Sequence, residues 1–308
     1  RTGRLPGNSR LMIDLDVHTH LVPIHPARLA GFDQVRWLED ERVLVLDGER
    51  LDVPRLFQPD KLVEWMDLRG VRRALVSIPP PVYRQTLDAT RARGWVDYLN
   101  EELLAITQAS HGRLGALYYL PLEHPGLLLP LMDKYGDAFE GVAIAAGGHA
   151  RIVYSDPCYT ALWERLHELG AFVFMHPGMC RDARLAPFYL HNFLGNPYET
   201  GVAAAHLVMA GIPARYSGIR FCLAHAGGIF AALCGRLEKG FETNRPGVDT
   251  ELERPLATAR RFRVDCIAHH PSALQLARDV VGSDQVLFGS DWPFPMGIDD
   301  PSTVDRPS

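Results

Sequence analysis

The stretch LMIDLDVHTHLVP, residues 11–23, decides the fold. An apolar run leads into His18 and His20, one residue apart. Side chains two apart on a strand point to the same side, so a strand here delivers two imidazoles to one place at its C-terminus. Taken alone the pair carries little weight. Thirteen histidines in 308 residues produce about half an H-x-H by chance. Its meaning depends on where the other strands end.

Seven further apolar runs follow at barrel-like intervals: RRALVSI (72–78), LGALYYL (114–120), EGVAIAA (140–146), AFVFM (171–175), IRFCLA (219–224), RFRVDCI (261–267) and QVLFGS (285–290). Each is short and apolar on both faces, as a strand buried between two layers must be, and RFRVDCI is the weakest of them. Between them lie amphipathic segments such as 59–70, 90–110 and 159–170, two of which end in a glycine that can cap a helix. Eight alternating strand and helix candidates predict an α/β fold, a (β/α)8 TIM barrel closed by right-handed units.

Two segments exceed simple loops. Residues 21–55 include RVLVLDGERLDV, which reads as a small inserted hairpin after strand 1, turning at Asp47-Gly48. Residues 177–199 are rich in proline and aromatics and read as a lid. Both follow strand C-termini, the face where barrel enzymes place substrate. Residues 1–10 read as a flexible leader, leaving 11–308 as one barrel domain. Only 17 residues follow Asp291, four of them proline, so the last barrel helix is expected to be short or missing.

Bulk chemistry excludes several classes. A net charge of −5 without a basic block argues against nucleic acid and anionic membrane as partners. No apolar run is long enough to cross a bilayer. Five scattered cysteines without a C-x-x-C pair, and no signal-peptide pattern, fit free thiols in a cytoplasmic protein.

With these strands drawn, His18 and His20 end the first, His176 the fifth, His225 the sixth and Asp291 the eighth. A lone strand-end histidine is commonly a hydrogen-bonded structural residue. Four strand ends converging is a different observation. Neutral imidazoles with one carboxylate suit Zn²⁺ or another divalent first-row metal, with water completing the shell.

The motifs DVHTH (16–20), HPG (176–178), HAGG (225–228), CGRLEKGFETNRP (234–246) and GSDWPFPMG (289–297) resemble, in order and spacing, the amidohydrolase superfamily. Within it they are most similar to the branch of 2-amino-3-carboxymuconate-6-semialdehyde (ACMS) decarboxylase. The resemblance implies one Zn²⁺ held by His18, His20, His176 and Asp291, with His225 as the base that deprotonates its bound water. It also implies a homodimer, in which Arg236 reaches the neighbouring subunit's site and binds a substrate carboxylate, and a second such arginine near Arg50. Binuclear superfamily members use a carbamylated lysine at a strand end. The three lysines here, Lys61, Lys134 and Lys239, all fall in helical segments, which favours a mononuclear centre.

His149, after the fourth strand, and Met179, in the lid, are further candidates for substrate contact. Where the decarboxylase follows HP with a tryptophan and an acid, this chain has Gly178, Met179 and Cys180, so the pocket differs. The expected reaction is non-oxidative decarboxylation of a small unsaturated or aromatic carboxylic acid bearing an amino or hydroxy group, with Asp291 combining ligation and proton transfer. A hydrolase or hydratase on the same centre is the alternative, since these motifs are shared across reaction classes. A non-catalytic barrel with a structural zinc is a third reading, against which a fifth polar group and glycine-rich loops at the site argue for an open centre.

Overall fold

In the computed structural model, which describes residues 12–304, β1 (Ile13–His20) opens a set of eight parallel strands; the expected leader at 1–10 lies outside the described residues. A small antiparallel sheet follows as an insertion: β2 (Val35–Leu38), β3 (Val43–Leu46) and β4 (Glu49–Leu51). The barrel continues through β5 (Val71–Ser77), β6 (Leu114–Leu120), β7 (Gly141–Ala146), β8 (Phe172–Pro177), β9 (Arg220–Leu223), β10 (Arg263–Asp265) and β11 (Val286–Leu287). Neighbours in the order β1-β5-β6-β7-β8-β9-β10-β11 pair in parallel. The chain after β11 then bonds back to β1, through Val17 N–H to the Phe288 carbonyl (3.0 Å), Asp291 N–H to the His18 carbonyl (2.8 Å) and His20 N–H to the Trp292 carbonyl (2.9 Å). Those bonds close the ring and carry Asp291 to the end of β1.

The helices are α1 (Pro26–Leu29), α2 (Pro59–Arg69), α3 (Ala89–Gln108), α4 (Pro125–Tyr135), α5 (Thr160–Glu168), α6 (Asn196–Met209), α7 (Ile212–Arg215), α8 (Phe230–Glu242), α9 (Pro255–Ala259) and α10 (Pro271–Val281). Gly70 closes α2 with φ +72°, and Gly170 follows α5 with φ +58°, as the two glycine signals predicted. Asp88 caps α3 by accepting the N–H groups of Thr90 and Arg91, each at 3.0 Å. All three lysines lie on helices. No α-helix follows β11 among the described residues, only a short turn at Pro301–Thr303.

Two apolar layers result. Val17, Leu75, Leu117, Ala143, Phe174, Cys222 and Ala224 fill the barrel interior, while a larger shell packs strands against helices. The insertion turns at Asp47 (φ +52°) and Gly48 (φ +89°), a two-residue hairpin turn in which both residues take the left-handed conformation. The sequence reading found β3 and β4 but missed β2, whose VRWL is too short to show alternation. Among the described residues no helix is long and apolar enough to cross a membrane.

Candidate metal centre

His18 and His20 reach the barrel mouth because β1 changes register between Asp16 and Thr19. Below the irregularity Leu15 and Val17 pack in the interior; above it the even-numbered residues take over. Asp16 pins this point, accepting the N–H of His18 (3.0 Å) and of Ser290 (3.1 Å). Burial pushes its carboxyl up to about 7, against those hydrogen bonds.

His176 arrives at the end of β8, His225 just after β9 and Asp291 after β11. The rings of His18, His20 and His176 lie with centroids 4.8–5.0 Å apart, and His176 and His225 are 5.2 Å apart. Ligand atoms of His18, His176, His225 and Asp291 all fall within 4.8 Å of one another. His20 Nε2 joins them, 3.1 Å from His18 Nε2 and 3.2 Å from Asp291 Oδ1. The other side of each ring explains the arrangement. His18 Nδ1 faces Asp265 Oδ2 at 2.7 Å, His20 Nδ1 faces the Ser77 carbonyl at 3.3 Å, and His176 Nδ1 faces the Pro177 carbonyl at 3.1 Å. Each Nδ1 therefore carries the proton, and three bare Nε2 lone pairs converge beside a carboxylate. Lone pairs facing each other at 3.1 Å need a cation between them. The donor set fits a divalent first-row ion.

The electrostatics of the cluster follow from the same arrangement. Burial works against charge on His18, but Asp291 and Asp265 outweigh it and push the ring up to about 10. Burial holds His20 down, and burial plus the surrounding imidazoles hold His176 well below the usual range. Asp291 resists burial and stays well below the ordinary carboxylate range because His18 faces it. Its backbone adopts φ +57° and that of His225 φ +54°, an uncommon conformation for residues with side chains and one that clusters at functional sites. His225 Nε2 stands 3.7 Å from Asp291 Oδ2, and its buried Nδ1 has no hydrogen-bond partner among the described residues.

Asp265, which the sequence reading passed over, sits at the centre of this support. Fully buried at the end of β10, it takes the backbone N–H of His225 on Oδ2 (2.9 Å) and those of Ala226 (2.8 Å) and Ile267 (3.0 Å) on Oδ1. An acid inside the apolar run RFRVDCI was its one visible signal. Gly289 makes room: a Cβ there would come within 2.8 Å of both Asp265 and His18.

The substrate-side candidates distribute differently. Met179 is exposed and His149 half-buried, with Nδ1 accepting the Arg151 N–H at 3.2 Å. Arg50 lies on β4 of the insertion, exposed and paired with Glu41 at 2.6 Å, outside the cluster, because β4 faces solvent at that position. Arg236 is exposed on α8 and makes no ion pair among the described residues. Gly178 has no room for a side chain. A Cβ there would lie 2.9 Å from the Gly147 carbonyl and from Gly148 Cα, so the β7 and β8 loops touch at this point. Cys180 is half-buried, and burial pushes its thiol up, away from thiolate chemistry.

A cavity of about 320 Å³ adjoins the cluster, with His225 and Asp291 in its lining and Asn192, Phe193 and Asn196 supplied by the segment expected as a lid. That segment passes through short helical turns and enters α6 at Asn196.

The amidohydrolase family model matches residues 15–306. The chain is 24% identical to the 2-amino-3-carboxymuconate-6-semialdehyde decarboxylase of Dictyostelium discoideum, covering 92% of this chain and 83% of that one. It is 27% identical to the 6-methylsalicylic acid decarboxylase of Penicillium expansum, covering 92% and 85%. Among solved structures, a dihydroxybenzoic acid decarboxylase from Polaromonas sp. JS666, with bound manganese and 2-nitroresorcinol, superposes with TM-score 0.72 at 19% identity over 92% of this chain and 87% of that one. With these matches running through every strand that carries the histidine and aspartate cluster, the chain belongs to the amidohydrolase superfamily, in the branch that includes the ACMS decarboxylases.

Proposed function

We propose that the protein is a mononuclear metal-dependent carboxy-lyase that removes CO₂ from an aromatic or unsaturated acid bearing an amino or hydroxy group. One observation carries the reading: three Nε2 lone pairs and a carboxylate converge beside a cavity that His225 also lines. The two relatives and the solved structure described above, of comparable length, are decarboxylases, and that structure holds manganese.

In this reading His18, His20, His176 and Asp291 hold the metal, Zn²⁺ or Mn²⁺. A divalent ion bound there supplies positive charge to the carboxylate and its neighbouring oxygen or nitrogen. His225, with an unpartnered Nδ1 and Nε2 facing Asp291, takes and returns a proton. Asp291 Oδ2 relays that proton to the carbon losing its carboxyl group. The C–C bond breaks, its electron pair stays on that carbon, and the proton takes the place of CO₂. His149 and Met179 follow the ends of β7 and β8 and would contact substrate from there, although neither lines the cavity, with residues 177–199 as the lid and 21–55 as an insertion on the single barrel domain. A second copy of the chain completes the site with Arg236, whose exposed, unpaired guanidinium suits bidentate binding of a carboxylate. Arg50 joins it if its pairing with Glu41 opens. Five unpaired cysteines suit the cytoplasm.

The test is CO₂ release from ortho-hydroxybenzoic and 2-aminomuconate-type acids by protein loaded with Zn²⁺ or Mn²⁺, with and without chelator. Chelator-sensitive CO₂ and about one metal per chain are expected. A metal-loaded protein that releases no CO₂ across the panel overturns the reaction assignment in favour of hydrolysis or hydration.

A further inference from the structure

We propose that Gln85 is a positioning residue for the metal centre, holding the Pro177–Gly178 peptide whose carbonyl orients the His176 ring. The proposal rests on the reading of His176 as a metal ligand and not on the reaction. Gln85 lies in the loop between β5 and α3, is buried, and does not line the cavity. Its neighbour Arg84 takes φ +47°, an uncommon conformation for a residue with a side chain and one found where a loop serves a site. Arg84 reaches the insertion, where its guanidinium grips both oxygens of Asp47 (2.6 and 2.8 Å) and the Asp33 carbonyl (3.0 Å). Gln85, anchored by that neighbour, enters the contact between the β7 and β8 loops.

That contact is built from glycine. Gly147 and Gly148 follow β7 with φ +71° and +77°, a backbone that needs outside support to keep one shape. Gln85 Nε2 donates to the Gly147 carbonyl at 3.2 Å, and its Oε1 crowds the place a Cβ on Gly148 would take. Tyr154 and Arg181 also hold the glycine pair: the Tyr154 hydroxyl accepts the Gly147 N–H at 2.5 Å, and Arg181 Nε donates to the Gly148 carbonyl at 3.0 Å. Gln85 in addition abuts Gly178, where a Cβ would lie 3.1 Å from its Oε1, and so sets the second loop against the first. The Gly178 N–H bonds the Ala146 carbonyl at 2.8 Å. A peptide is planar, so a fixed N–H fixes the direction of the carbonyl on its other side. That carbonyl is the Pro177 oxygen facing His176 Nδ1 at 3.1 Å. Removing the amide frees the glycine pair and the peptide wedged against it, and a histidine ligand whose outer partner moves binds metal less well.

Co²⁺ gives two readouts that need no turnover: its affinity, by competition with a chromophoric chelator, and its visible absorption, which follows the geometry of its ligands. In the 308-residue chain, Gln85→Met keeps the length of the side chain and removes the amide. It is expected to bind Co²⁺ weaker on the order of ten-fold, the lower end for outer partners of ligating histidines, with an altered visible spectrum. Val96→Ala, which trims a buried residue of α3, should lower Tm and leave affinity and spectrum at wild type. Gln85→Glu keeps the shape but turns an oxygen toward the Gly147 carbonyl; it should reproduce the loss, and it stands in if the methionine variant fails to fold. Wild-type affinity and spectrum in a folded Gln85 variant overturn the inference, as does an equal loss in Val96→Ala. Either result, with Co²⁺ bound by the unaltered chain, sinks this inference alone. An unaltered chain that binds no Co²⁺ sinks the ligand reading of His176 and this inference with it. CO₂ release plays no part, so failure of the reaction assignment leaves the result standing.

Discussion

Asp265 Oδ2 lies 2.7 Å from His18 Nδ1, with both side chains wholly removed from solvent. The same carboxylate holds the backbone of His225 and Ala226, so one residue orients a metal-facing ring and the loop carrying the proposed base. All four of its partners are donors. Burial raises the cost of its charge, and the His18 hydrogen bond outweighs that cost, keeping the carboxyl below its usual range.

Asparagine is therefore a poor substitute. Asp265→Asn turns an NH₂ toward backbone N–H groups, and metal affinity should fall on the order of 10–100-fold, as when other outer partners of histidine ligands are removed. Competition with a chromophoric chelator measures it. Wild-type affinity in the variant would show that His18 is oriented by packing alone.

His225→Ala should lower kcat by about 10²–10⁴ while bound metal stays near one per chain. Elemental analysis beside single-turnover CO₂ release separates the outcomes. Loss of metal together with activity would make His225 a ligand, a role its distance to the other donor atoms also permits.

If Arg236 acts across a dimer, two dead variants should rescue each other. Mixing and reassembling Arg236→Ala with His225→Ala chains gives heterodimers in which one site has His225 from its own chain and Arg236 from the other. Random assortment then returns about a quarter of wild-type activity. No recovery, with mixed dimers confirmed by mass spectrometry, would confine Arg236 to its own chain.

Glu123 is a buried acid outside the cluster, and burial pushes its carboxyl up to about 7. A raised carboxyl favours the protonated native state. Its contribution is complete below the unfolded value of 4.5 and is lost as pH rises through about 7, on the order of 3 kcal/mol. Without metal, Asp16 loses stability over the same window. Relative to wild type, Glu123→Gln should thus make the Tm of the metal-free protein fall less steeply as pH rises from 5 to 8. A slope identical to wild type would remove Glu123 as its source.

Much of this molecule was readable in one dimension because it follows from local spacing. Alternation along strands put His18 with His20 and placed His176, His225 and Asp291 at strand ends. A left-handed pair at Asp47-Gly48 turned the hairpin, and the lysines fell on helices. What closure of the barrel settled was which atoms meet. The register change in β1 aims its two histidines, and an acid 247 residues from His18 orients it. Contact between the β7 and β8 loops leaves Gly178 no room for a side chain, and the fold leaves Arg50 at the surface with Glu41. Spacing sets the direction of a side chain along its own strand. Partnership between strands depends on distances that exist only after the ring has closed.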